Sequence, residues 1–326
     1  MTLEGRLRVG LTLEAGRVAR VAVDSTRLVT ACRVLEGKPA DTALDLLPRL
    51  FAVCGTAQRA AGEIACERAL GIAVSPARAE ARRRRVLAET AIEHGTRILM
   101  DWPAIIGEPP QAGAARTLRA ALAPARVSGA SLAGEALAGS PAPRLFDWLR
   151  SQGLADYGAD AAPLMAGMDE EWLLARLAGD DAFCTAPNHD GRVYETGPLA
   201  RWPGLVAEYG SGLLARHVAR LIELNAALDV LAHDAAADEP LPPLAGSGIG
   251  LGVVEAARGR LVHRVAIADG IVRRYRILAP TEWNFHADGP LARGLLGDRA
   301  DDGLLLRARL LVAALDPCVA CDIAII

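Results

Sequence analysis

Asp316-Pro317-Cys318-Val319-Ala320-Cys321-Asp322 is followed by four more residues, Ile323 to Ile326. A Cys-x-x-Cys serves as a redox dithiol when its first thiol sits at a helix N-terminus, where the dipole favours the thiolate. Here helical periodicity covers Asp302 to Leu315, so the pair follows a helix, and the five residues after Cys321 cannot build another. A structural zinc site pairs two such motifs, or one motif with closely spaced histidines. Spacing alone leaves zinc open. The other cysteine in a suggestive setting is Cys54, within Arg49-Leu50-Phe51-Ala52-Val53-Cys54-Gly55. Cys32, Cys66 and Cys184 read as small buried hydrophobes.

The remaining composition narrows the class. With 52% hydrophobic, 23% charged and 4% aromatic side chains over 326 residues, the chain has ample material for a core and is not a disordered polymer. Thirty-six basic and 39 acidic residues leave a net charge of −3, so no basic field points to nucleic acid. The Arg82–Arg85 run reads as a solvated helix face. Apolar runs such as Leu310–Leu315 fall far short of the ~18 residues a membrane span requires, and Met1 to Arg6 has no leader-like apolar core. The expectation is a cytoplasmic protein without membrane contact.

Periodicity supplies the layout. Leu7, Val9, Leu11 and Leu13 alternate, a Glu14-Ala15-Gly16 turn follows, and Val18, Val21 and Val23 continue, which predicts a β-hairpin. From Asp41 the spacing turns helical through Leu44, Leu47, Phe51, Cys54, Ala61 and Ala65, with Pro48 expected to bend the helix. Further helices are predicted over Pro76–Met100, Asp169–Leu177 and Ser211–Leu231. The stretch Pro103–Pro143 is Ala/Gly/Pro-rich and weakly periodic, and Asp234–Ser247 reads as a linker. Strands are predicted at Ile249–Glu255, Leu261–Ile267 and Ile271–Leu278. The fold class is therefore α+β: a mainly helical body, an N-terminal β-hairpin and a C-terminal strand cluster. We expect one domain over 1–326, with an N-terminal part (1–105), a shortened helical middle (106–247) and a C-terminal part (248–326).

Five segments in order carry a resemblance: Glu4-Gly5-Arg6-Leu7, Leu35-Glu36-Gly37-Lys38-Pro39, Thr196-Gly197-Pro198-Leu199-Ala200-Arg201, Glu255-Ala256-Ala257-Arg258-Gly259 and Ala279-Pro280-Thr281-Glu282-Trp283-Asn284. Together with Arg-x-x-x-x-Cys at Cys54 and the terminal Asp-Pro-Cys-x-x-Cys, they resemble the large subunit of nickel–iron hydrogenases. The resemblance implies a reduced version of that fold. It places Cys54 and Cys321 at the two bridging thiolates that touch iron, and Cys318 at a nickel ligand. Arg258 and Thr281 fall at the donors to iron-bound cyanide. Glu93 and His94 fall at an acidic–histidine pair beside that arginine.

The departures concentrate at the nickel side. Phe51 stands where the family has its other nickel thiolate, Cys32 where it has a proton-relay glutamate, Gln58 where it has a histidine and Ala257 where it has a proline. Ala324 replaces a histidine, and the processed C-terminal peptide of the family has no counterpart after Ile326. Two soft thiolates suit a low-spin iron carrying cyanide and carbon monoxide. Such a chain resembles the HupK/HoxV group of hydrogenase maturation proteins.

That resemblance implies a scaffold with no catalytic residues. It would hold an Fe(CN)2CO group transiently, without nickel, between a HypC-type chaperone with its HypD-type assembly partner and the apo large subunit. The rival readings are a shortened catalytic subunit and a metal-free chaperone-binding protein.

Overall fold

The computed structural model describes residues 5–27, 29–123, 127–179, 181–233 and 247–326. Most of the expected linker, residues 234–246, lies outside them. Six strands are used below: β1 (Arg6–Glu14), β2 (Arg17–Ser25), β3 (Ile249–Ala256), β4 (Gly259–Ala268), β5 (Ile271–Leu278) and β6 (Ala320–Ile325). So are helices α1 (Ala40–Leu50), α2 (Gly55–Leu70), α3 (Pro76–Thr96), α4 (Leu213–Ala232) and α5 (Leu304–Leu315). The chain groups into two compact units. Unit 1 takes residues 1–73, 157–203 and 243–326; unit 2 takes 74–156 and 204–242.

Unit 1 contains both three-stranded sheets. The first has the order β2-β1-β6. Its hairpin turns at Ala15 and Gly16, both at positive φ (49° and 74°), the conformation that matches the twist of a two-residue hairpin. Leu7, Val9 and Leu11 are buried along one face, as the alternation predicts. β6 then pairs parallel to β1, with Leu7 opposite Cys321. β6 spans six residues and begins inside the Cys-x-x-Cys, so it was not legible; β1 supplies the hydrogen-bond partners that make it a strand. The second sheet, β3-β4-β5, is antiparallel throughout, and its strands fall within two residues of the predicted ones.

The second sheet is packed backbone to backbone on α2. A Cβ at Gly250 or Gly252 would lie 1.9 Å from the carbonyl oxygens of Ala65 and Ala61 respectively. Glycine on the strand and alanine on the helix are the residues that permit this approach. Below the sheet, Leu173, Leu177, Phe183, Leu251, Val262, Leu278 and Trp283 form a buried cluster.

Two helical expectations need correction. Pro48 does not bend one long helix: α1 ends at Leu50, Phe51 adopts φ −129°, ψ 68°, and a 3₁₀ turn over Ala52–Cys54 precedes α2. In unit 2, Arg82–Arg85 is not a uniformly solvated face. Arg82 is buried, and Arg84 donates to the carbonyls of Val230, Leu231 and His233 at the end of α4, where carbonyls lack intrahelical partners. The weakly periodic stretch also holds helices, at Ala112–Leu122 and Val127–Leu137. No helix among the described residues is long and apolar enough to cross a membrane.

Candidate functional site

Three of the motif segments are tied into one support within unit 1. Asn284 accepts from the Thr196 backbone N–H at 2.9 Å and donates to the Thr196 carbonyl at 2.7 Å. The Thr196 hydroxyl accepts from the backbone N–H of Arg260 at 2.9 Å. Arg201 donates to Glu255 and to the Ala257 carbonyl, and Arg260 donates to Glu255 at 2.6 Å. These bonds clamp the two-residue connection Ala257–Arg258 between β3 and β4. Gly259 follows at φ 134°, where a Cβ would meet the Thr196 hydroxyl at 2.6 Å. That close approach explains a glycine directly after the arginine.

Arg258 is thereby held in the interior, 5% exposed, with its Nε 3.6 Å from Oδ2 of the equally buried Asp316. Asp316 caps the end of α5 in a left-handed conformation (φ 51°), its N–H donating to the Val312 carbonyl at 2.8 Å. The helix thus turns sharply into the Pro317–Cys318 loop. The Cys318 sulfur lies 3.4 Å from the hydroxyl of Thr281, which sits in the short helix Pro280–Asn284. Cys321 is half-buried on β6. Burial, and then the charge of Asp322, pushes its thiol up to about 11. Two pairs are thus formed around this turn, Arg258 with Asp316 and Thr281 with Cys318.

Cys54 is presented differently. The break after Phe51 makes it the residue preceding α2, one turn before Gln58. The Gln58 amide donates to the Cys54 sulfur at 3.6 Å. Its carbonyl oxygen lies 2.9 Å from His263 Nε2, and His263 Nδ1 lies 2.9 Å from the Tyr275 hydroxyl. Burial lowers His263 to about 3, so the ring is neutral. One tautomer satisfies every contact: Tyr275 O–H donates to Nδ1, Nε2–H donates to Gln58, and Gln58 N–H donates to sulfur. Cys54 thus accepts from a chain of uncharged groups through Gln58. Gln58 and His263 lie 205 residues apart in sequence, so no local pattern could reveal the link.

A further pair was not foreseen. Arg27 Nη1 lies 2.9 Å from Glu282 Oε1, with side chains 12% and 7% exposed. Burial works against the Arg27 charge, but Glu282, Cys318 and Cys54 outweigh it and raise its pKa, while Arg258 opposes them. The Glu282 carboxyl is pushed up by burial, which Arg27 partly offsets. Arg27 stands alone after β2, outside any motif.

None of the six cysteines is in a disulfide. Cys32, Cys66 and Cys184 are buried, and burial pushes their thiols up to about 11, 12 and 12; they are the apolar residues expected. Among the described residues, no three or more His, Cys, Asp or Glu side chains converge as a metal site. Glu93 and His94 belong to unit 2. There His94 is fully buried on α3, with Nε2 2.8 Å from Glu223 Oε2 of α4.

Comparison with known proteins agrees with this scaffold. Residues 204–324 match the family model for nickel-dependent hydrogenases. The chain is 34% identical to the hydrogenase expression/formation protein HupV of Azotobacter chroococcum mcd 1, over 99% of both chains. It is 35% identical to HupK of Azotobacter vinelandii, again over 99% of each. The identity is 31% to HoxV of Cupriavidus necator, covering 98% of this chain and 96% of that protein. Among solved structures, the nickel–iron–selenium hydrogenase of D. vulgaris Hildenborough in its reduced state superposes with a TM-score of 0.71 at 18% identity, covering 94% of each chain. The protein therefore belongs to the HupK/HupV/HoxV family of hydrogenase expression/formation proteins, built on the fold of a hydrogenase large subunit.

Proposed function

We propose that the protein is a non-catalytic carrier in hydrogenase maturation, holding an Fe(CN)2CO group on Cys54 and Cys321. The group would arrive from a HypC/HypD-type assembly complex and leave for the apo large subunit. Cys318 is an auxiliary thiol, and Arg258 and Thr281 are the donors to cyanide. The observation that carries this reading is the pairing of a sulfur acceptor with buried donors. Cys54 ends a hydrogen-bond chain that presents its sulfur as an acceptor, while the guanidinium of Arg258 is held in the interior near the Cys318 loop. Charge-assisted bonds from guanidinium to an anionic ligand are strong.

The sparse protein ligand set suits such a passenger. An iron that brings three diatomic ligands of its own needs few thiolates, whereas a bare ion would need a fuller set. Phe51, in place of a fourth thiolate, weakens the hold relative to the acceptor, as handover requires. Oriented donors around the two ligands then determine how the group sits.

Infrared spectroscopy with metal analysis tests the reading, on protein purified anaerobically from cells expressing the maturation genes. Cyanide and carbonyl bands, with iron and no nickel, are expected, and Cys54→Ala should lose them. Bands with stoichiometric nickel would instead indicate a catalytic subunit. Absence of bands and iron beside a working maturation system would leave a metal-free chaperone-binding protein.

A further inference from the structure

The face of the second sheet that turns away from α2 carries arginines with no role assigned above. Arg264 on β4 stands directly opposite Arg276 on β5, and Arg274 lies two residues before Arg276. Side chains alternate along a strand, so all three share one face. Leu251, opposite Arg264 on β3, belongs to the buried cluster on that face. Directly opposed residues of an antiparallel pair have Cβ atoms about 5 Å apart, and like charges there repel. Arg264 and Arg276 are 8% and 3% exposed, so water screens that repulsion poorly.

Arg276 has its partners. Its Nε donates to Asp181 at 2.8 Å and its Nη1 to the Leu177 carbonyl at 2.6 Å. Asp181 also pairs with Arg33 and stands 3.6 Å from Arg274, which lies 3.8 Å from Glu36. Arg276 first, and then Arg33, holds the Asp181 carboxyl below its usual range. Arg264 enters none of these pairs. Its Nε is buried without a hydrogen bond. Burial, followed by Arg276 and Arg274, lowers its pKa, and no carboxylate acts against them. Among the described residues four guanidiniums therefore meet two carboxylates, and the arginine left over is a buried one.

We infer that Arg264, Arg274 and Arg276 form a binding site for a phosphoryl dianion, with Arg264 as its innermost donor. The guanidinium fork matches a phosphoryl group in shape and charge. An excess of two positive charges matches a phosphate near its second ionisation, whereas a single carboxylate would leave one charge unbalanced. The Nη2 of Arg276 lies outside both of its hydrogen bonds. The ion pairs of Arg274, at 3.6 and 3.8 Å, are longer than hydrogen bonds, so its donors are open to a ligand. The rim is open as well, with the side chains of Arg274 and Arg33 39% and 52% exposed. His263 lies opposite Gly252, on the other face of the sheet, so this site is separate from the Cys54 chain and does not rest on the carrier reading.

The test is calorimetric titration of the reduced full-length protein with inorganic phosphate, at constant ionic strength set with chloride. A Kd of about 1 mM or tighter is expected. Arg264→Gln should weaken binding about tenfold or more. Arg274→Gln, a change at the exposed rim that does not threaten folding, should weaken it about threefold. Adenosine monophosphate titrated in parallel separates the sources: equal affinity assigns the site to free phosphate, and tighter binding assigns it to a phosphate monoester. Thermal unfolding supplies a second readout. Phosphate should raise the melting temperature of the unsubstituted protein and not that of Arg264→Gln. Without phosphate, Arg264→Gln should melt no lower than the unsubstituted protein, because it removes a buried charge that lacks a partner. No binding of either compound at about 10 mM, or equal affinity in Arg264→Gln, overturns the inference. So does a phosphate-free Arg264→Gln melting more than about 5 °C lower, because the guanidinium would then be held by the protein itself.

Discussion

The two sides of the site hold their cysteines by opposite means. Cys54 is approached by a chain of uncharged groups, Tyr275 to His263 to Gln58. Cys318 follows a loop anchored by charge, where Asp316 ends α5 in a left-handed turn and pairs with buried Arg258. A neutral chain is directional and fixes which atom accepts. A buried ion pair fixes position but must be complete, because one unpaired charge in the interior is costly. The two sides should therefore differ in their response to truncation and to pH.

Truncating the charged side has the largest expected effect. Asp316→Ala removes the carboxylate beside the Arg258 guanidinium at a site 5% exposed and should cost about 3 kcal/mol or more, measured by urea unfolding. A cost under about 1 kcal/mol would mean that Asp316 matters only as a helix end.

Acid should act through the neutral side. Burial lowers His263 to about 3, against an ordinary value near 6.5 in the unfolded chain. Below about pH 6.5 the unfolded state binds a proton that the folded ring refuses. Stability is therefore full above that pH and is lost as pH falls toward 3, by about 1.4 kcal/mol per unit at most from this ring. His217, buried in unit 2 and lowered to about 4, acts in the same direction. His263→Gln should flatten the slope of stability between pH 6 and 4 by about that amount per unit; an unchanged slope would show that the ring is not held neutral.

The smallest effect belongs to the rim of β6. Arg6 and Asp322 form a 2.7 Å ion pair with side chains 51% and 59% exposed, so Asp322→Ala should change stability by less than about 0.5 kcal/mol. A larger loss would mean that this pair, rather than backbone pairing with β1, secures the terminal strand.

Much of the frame was legible. The first hairpin announced itself through alternation and its turn residues, Ala15 and Gly16, both with positive φ. The motif segments were legible too, and two of them prove to hold each other through Asn284 and Thr196. The break between α1 and α2 was not legible, because Pro48 offered a local explanation for an irregularity that falls at Phe51. Helices at Ala112–Leu122 and Val127–Leu137 were hidden by alanine and glycine, which carry little amphipathic signal.

By itself the sequence determined the α+β layout, the family and the positions of its departures, because period, turn chemistry and motif spacing are local properties. Tertiary structure decided the rest. It made Ile323 and its neighbours a strand beside β1, set Gln58 against His263 and brought Arg27 against Glu282. The physical reason is common to all three. Hydrogen bonds and charges act over a few ångströms of space, and residues hundreds of positions apart reach that distance only once the core has folded.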